Sequence, residues 1–226
     1  MEMKGISTMQ TGKFISFEGT DGAGKTSVLN AVAKRLTPQL QQKLLITREP
    51  GGDFISEQIR EVILNRQNTT MDIRTEALLY AASRRQHLVS TILPALADDK
   101  LVLCDRYVDS SIAYQGAGRK IGETKVADIN LFATDGVLPF KTIYFDIPVK
   151  VGLKRIAAHR QEQIDRLDVE TIDFYERVHA AYDRLALADS NRYIIIDATQ
   201  PLKLVVEATM NQLKLVAPEY FTEEEI

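Results

Sequence analysis

Gly19, Thr20, Asp21, Gly22, Ala23, Gly24, Lys25 and Thr26 fit the spacing GxxxxGK[ST], and they lie between an apolar run and a helical pattern. Residues of these types at this spacing hold a polyphosphate. Glycines allow a compact loop whose successive N–H groups point inward at phosphate oxygens, and a helix starting there adds its positive end. Lys25 then holds the β- and γ-phosphates as a point charge, while the Thr26 hydroxyl ligates Mg²⁺. A glycine-rich turn that merely starts a helix is the alternative. The loop by itself names no reaction, since motors, switches and kinases all use one.

Other charged residues suggest a second phosphate. Arg48 and Arg106 directly follow apolar runs, whereas Arg60, Arg84 and Arg85 lie on helical stretches. A guanidinium grips phosphate through two parallel hydrogen bonds, and several of them exceed what one lysine-held triphosphate requires. A second phosphorylated substrate follows, although any single arginine could instead be solvated or paired with a carboxylate. Asp105 ends an apolar strand, as the Mg²⁺-linked acid of many phosphate-loop enzymes does, or else partners a nearby arginine. Residues 155–168 (RIAAHRQEQIDRLD) carry Arg155, Arg160 and Arg166. They read either as an arginine-bearing lid over the reacting phosphates or as a solvated helix face. His87, His159 and His179 lack HExxH spacing, and there is no CxxC pair or GxSxG elbow, so zinc and serine-hydrolase chemistry are not expected.

The elements that must position these residues alternate. FISFE (14–18), LLITR (44–48), LVLCD (101–105), TIYFDI (142–147) and YIIID (193–197) read as short strands covered on both faces. Residues 27–36 place Val28, Leu29, Val32 and Leu36 on one helical face. Ile59, Val62 and Ile63 mark a second helix, and Leu78, Leu79, Ala82, Leu88 and Ile92 a third. Ile172, Tyr175, Val178, Tyr182 and Leu185 mark another. Alternation predicts an α/β fold with a five-stranded parallel sheet, right-handed crossovers and ligands beyond the carboxyl ends of the strands. The phosphate loop, residues 48–52, residues 105–107 and residues 197–200 then face one crevice.

Composition sets the frame. The 226 residues suggest one domain with a short tail at residues 1–12, and 45% of them are hydrophobic, as in an ordinary soluble protein. A net charge of −3 provides no global attraction to nucleic acid or to a membrane. No 18-residue apolar span and no secretory signal core are present. The single cysteine, Cys104, sits in an apolar run and reads as a buried thiol in a reducing cytoplasm.

Taken together, FEGTDGAGKTS, TREPGG, EALLYAASRRQH, DRYVDSSIAYQGAGR and IDATQPL, in this order and spacing, resemble the bacterial thymidylate kinase family from about residue 14 to about residue 216. TREPGG and DRYxxSSxAYQG are far more specific than the phosphate loop. The resemblance implies a phosphate-loop nucleoside monophosphate kinase architecture, a homodimer, and transfer of the ATP γ-phosphoryl group to dTMP with Mg²⁺. It implies that Asp21 accepts a hydrogen bond from the sugar 3′-hydroxyl, and that Arg48, Arg60 and Arg106, with Glu49 near them, engage the acceptor phosphate. Tyr80 stands where the family usually stacks a Phe on thymine. Arg84, Ser111 and Gln115 match groups that read the base edge, Tyr114 crowds the 2′ position, and Thr199 and Gln200 contact adenine. Because Lys25 is the only cation of the loop, the family variant implied is the one whose lid supplies catalytic arginines: Arg160 and Arg166, with Arg155 behind them. Another nucleoside monophosphate or deoxynucleoside kinase is the rival within enzymes. A nucleotide-hydrolysing switch or binding module is the rival from another class, and it would want an NKxD sequence that this chain lacks.

Overall fold

The computed structural model describes residues 11–159 and 170–221. Five strands, β1 (Lys13–Glu18), β2 (Leu44–Arg48), β3 (Leu101–Asp105), β4 (Lys141–Asp146) and β5 (Tyr193–Asp197), form one parallel sheet in the order β2-β3-β1-β4-β5. Three of the five match the predicted runs at both ends; β1 starts one residue earlier, and β4 is shifted back by one residue. β1 lies centrally, with β3 on one side and β4 on the other. Its carboxyl end is thus the place where the strand order changes direction, which is where ligands bind in such sheets.

Residues alternate across each strand, so the two faces feed two apolar layers. Ile15, Phe17, Leu101, Leu103, Ile143 and Phe145 meet Val28, Leu29, Val32 and Leu36 of α1 (Lys25–Leu40), and Val205, Val206 and Leu213 of α9 (Leu202–Val216). On the other face, Phe14, Val102 and Cys104 pack with Leu88 and Ile92, and Tyr144 with Tyr175, Val178 and Tyr182 of α8 (Ile172–Ala188). Cys104 is fully buried, and burial pushes its thiol well above the ordinary range, as expected of a structural cysteine.

Between β2 and β3 run α2 (Phe54–Leu64), α3 (Ile73–His87) and the short α4 (Leu93–Ala97). Asp53 and Asp72 cap α2 and α3, each accepting two N–H groups of the first turn. For α3 the predicted apolar face is wrong in part. Leu78 and Ala82 face outward, and the buried side carries Glu76, Ser83, Arg84 and His87. Its inner face joins Ala77 and Ala81 to a polar network, so the pattern misplaced Leu78 and Ala82, whereas Leu88 and Ile92, just beyond α3, are fully buried as expected. In α2 likewise Ile63 is buried but Val62 is exposed.

α5 (Val108–Ser111) and a widened turn over Ile112–Gly118 follow β3, then α6 (Glu123–Thr134). α7 (Val149–His159) follows β4. It includes residues 155–159, which were expected to open the lid. No helix among the described residues is long and apolar enough to cross a membrane.

Candidate active site

The loop over residues 19–26 leaves β1 and enters α1 as the spacing predicts. Gly22 has φ +79°, and a Cβ there would lie 2.2 Å from the carbonyl oxygen of Gly152 in α7. Gly24 caps α1 in the left-handed conformation, with φ +85°, which a side chain rarely adopts. The free N–H groups at the start of α1 open toward the same space as the loop. Lys25 folds over the loop, its Nζ donating to the carbonyls of Gly19 (3.0 Å) and Thr20 (2.9 Å). Burial first, and the Arg106 charge second, pull its ammonium down to about 8.

Thr26 Oγ1 donates to Asp105 Oδ2 at 2.5 Å, and Asp105 Oδ1 is buried with no hydrogen-bond partner. These oxygens at the foot of the loop are hard ligands of the kind Mg²⁺ takes. The fit to that ion is good.

Against the loop stands a cluster built around Arg106, whose backbone is left-handed at φ +71°. Non-glycine residues in that region are strained and persist only where their surroundings enforce it. Arg106 donates to Asp21 Oδ1 (2.6 Å), Gly19 O (3.1 Å) and Ser110 Oγ (3.0 Å). Its guanidinium also lies 4.8 Å from the centre of the Tyr114 ring. Tyr114 donates its hydroxyl to Asp21 Oδ2 at 3.0 Å, and burial pushes that phenol well up, so it remains a donor. Tyr114 and Gln115 sit in the widened turn, where the Arg119 N–H reaches back five residues to the Tyr114 carbonyl.

Arg84 is 1% exposed, donates four hydrogen bonds to protein groups and still lines the cleft. It donates to Glu49 Oε2 (2.7 Å), Ser111 Oγ (3.0 Å), the Tyr107 carbonyl (3.0 Å) and Asn130 Oδ1. Glu49 is held from its other side by His87 Nδ1 (3.0 Å), whose Nε2 bonds Thr47 Oγ1 (2.7 Å). Gln115 donates to Glu76 (2.9 Å). Arg48 pairs with Glu57 at the rim (2.8 Å), and Arg60 donates to the Pro50 carbonyl (2.8 Å). The peptide between Glu49 and Pro50 is cis.

On the far side of the loop, Arg155 donates to the carbonyls of Ala198 (2.9 Å) and Thr199 (3.2 Å). Its guanidinium therefore lies against the segment after β5. Asp197 accepts from Thr199 and Gln200 there, and those bonds hold its carboxyl below the usual range. Arg160 and Arg166 lie outside the described residues.

One open cleft of about 910 Å³ joins these groups. Lys25, Thr26 and Asp105 line it together with Arg48, Glu49, Arg60, Tyr80, Arg84, Arg106, Ser111, Tyr114 and Gln115 on one side, and Arg155, Thr199 and Gln200 on the other. Sequence reasoning missed the residues that hold this wall, Ser110 within the lining and Glu18, Tyr182 and Asn130 behind it. Glu18, Ser110 and Tyr182 brace Arg106 from below, and Asn130 braces Arg84. Glu18 ends an apolar strand as Asp105 does, so the signal used for one acid was available for the other. Tyr182 was hidden in an apolar helix stripe, and Asn130 carries no local signal at all. Burial, with Asp109 next, pushes the Glu18 carboxyl up to about 7, against the bonds from Ser110 and Tyr182.

Comparison with known proteins gives a consistent result. The family model described as thymidylate kinase matches residues 17–209. A thymidylate kinase of Levilactobacillus brevis is 62% identical over 212 residues, covering 93% of this chain and 99% of that protein. One from Lactiplantibacillus plantarum is 58% identical over 212 residues, covering 94% and 96%. The crystal structure of thymidylate kinase from Ehrlichia chaffeensis superposes with a TM-score of 0.72 at 30% identity, covering 90% of this chain and 98% of that one. On the family match and these identities over nearly the whole chain, the chain belongs to the thymidylate kinase family.

Proposed function

We propose that this chain transfers the γ-phosphoryl group of ATP to dTMP, giving dTDP and ADP. The observation that carries the reading is that a lysine-bearing phosphate loop and an arginine cluster line one cleft. One lysine-held triphosphate needs fewer cations than this cleft gathers, and the added arginines suit a second phosphate.

ATP phosphates replace the carbonyls of Gly19 and Thr20 as partners of Lys25. Thr26 and Asp105 would hold Mg²⁺, which when bound would supply neutralisation of phosphate charge. Thr199 and Gln200, with Arg155 bracing their segment, face the adenine. On the acceptor side Arg106, Arg60 and Arg48 take the dTMP phosphate, and Glu49 orients Arg84. Asp21 receives the 3′-hydroxyl. Tyr80 stacks on the base, Arg84, Ser111 and Gln115 meet its edge, and Tyr114 fills the space a 2′-hydroxyl would need.

A phosphate monoester, with its second pKa near about 6, is largely ionised at neutral pH. The acceptor oxygen therefore needs no strong general base to attack the γ-phosphorus in line. Catalysis is positioning plus charge neutralisation.

The enzyme works as one kinase domain in a cytoplasmic homodimer. Supporting the dimer, α3 packs against both α2 and α6, and the outward sides of these helices carry Val62, Leu78, Leu131 and Phe132. Exposed apolar residues on adjoining helices fit a partner better than solvent.

ADP release should be measured with ATP alone, then with dTMP, dUMP, dCMP, AMP, thymidine or ribothymidine monophosphate added. The expected result is fast release with dTMP and weak release with thymidine and the ribonucleotide. Equal release without any acceptor would reject the reading in favour of a hydrolase or switch.

A further inference from the structure

Glu18 is the last residue of β1 and directly precedes the phosphate loop, yet it is fully buried and faces away from the cleft's lining. Its two oxygens bind three donors from two different elements. Oε1 accepts the Tyr107 backbone N–H at 2.7 Å, while Oε2 accepts the Ser110 hydroxyl at 2.5 Å and the Tyr182 hydroxyl at 2.9 Å. Tyr107 and Ser110 both follow the left-handed residue Arg106, and Tyr182 comes from α8.

Ser110 is the link to the site. Its oxygen accepts Arg106 Nη1 at 3.0 Å while its proton goes to Glu18. The Arg106 backbone N–H is tied to Phe17 O at 3.0 Å, one residue before Glu18. A strained backbone persists only where its surroundings enforce it, and a buried carboxyl group with three donors fixes Tyr107 and Ser110, just after Arg106, at once. Burying a carboxylate is expensive, so an acid in this place has to be explained by what it holds.

We infer that Glu18 is a positioning residue for dTMP: through Tyr107 N–H and Ser110 Oγ it sets the left-handed turn that aims the Arg106 guanidinium at the acceptor phosphate. The inference rests on the reading of Arg106 as an acceptor-phosphate ligand. Glu18 itself touches neither nucleotide. Its replacement therefore weakens dTMP far more than ATP, because Lys25 is held by the loop's own carbonyls, while the end of β3 and the turn after it reach the loop through Arg106 on Gly19 and Asp21 and Asp105 on Thr26.

The test uses the full chain and two variants, Glu18→Gln and Tyr182→Phe. Glutamine keeps the size and an acceptor for Tyr107 N–H but reverses one hydrogen bond to the hydroxyls. Expected is a rise in the KM for dTMP of about tenfold in Glu18→Gln, with the KM for ATP and the melting temperature nearly unchanged. Tyr182→Phe, which removes one of the three donors, should raise the same KM by roughly threefold. An unchanged KM for dTMP in either folded variant overturns the inference. So does a parallel rise of both KM values with a lowered melting temperature, the signature of a merely structural acid. If Glu18→Gln does not fold, Tyr182→Phe decides by the same criteria. Failure of the underlying reading looks different, because wild-type enzyme would then release no ADP in response to dTMP.

Discussion

At the scale of single residues, Lys25 offers the sharpest titration. Its folded pKa of about 8 lies below its ordinary value of 10.5, because burial and Arg106 disfavour the charge. Below pH 8 the folded chain therefore carries the full cost of a buried ammonium, and that cost is relieved as pH rises from 8 toward 10.5. Triphosphate binding needs the charged form. The KM for ATP should accordingly climb as pH passes about 8, and Lys25→Arg, which stays protonated, should flatten that limb. A KM independent of pH from 7 to 9 in the wild-type chain would contradict it. Lys25, Thr26 and Asp105 were legible in the sequence because their chemistry depends on local spacing. The partners that brace Arg106 and Arg84 were not. Ser110, Tyr182 and Asn130 reach those arginines across 4, 76 and 46 residues of chain or helix, and no local pattern encodes the two longer pairings.

At the scale of elements, the strands were readable because each is a short apolar run covered on both faces. Helix α1 was readable because its apolar stripe meets the sheet directly. α3 was not, since its buried side carries Glu76, Ser83, Arg84 and His87 beside Ala77 and Ala81, and a hydrophobicity pattern assigns those four to solvent. That inner face depends on Glu49, which reaches across from the segment after β2 and holds Arg84 and His87 together. Removing one partner of a buried pair leaves an uncompensated charge, at about 3–5 kcal/mol. Glu49→Ala should lose stability of that order in urea unfolding. A loss under about 1 kcal/mol would mean that Ser111, Asn130 and the Tyr107 carbonyl suffice to hold Arg84.

At the scale of the whole molecule, the sheet brings residues 19–26, 48–60, 105–115 and 197–200 to one edge, so a cleft for two nucleotides arises from topology alone. The same packing turns Leu78 (56% exposed) and Phe132 (87% exposed) outward. Phe132→Glu should convert a dimer to a monomer in sedimentation. A wild-type chain that is already monomeric at micromolar concentration would remove the dimer from the account.

The central claim is transfer between two bound phosphates, and it is tested most directly with ATP labelled at the γ-phosphate. With dTMP present, the label should appear in dTDP, one for each ADP formed. Label released as inorganic phosphate with dTMP unchanged would contradict it.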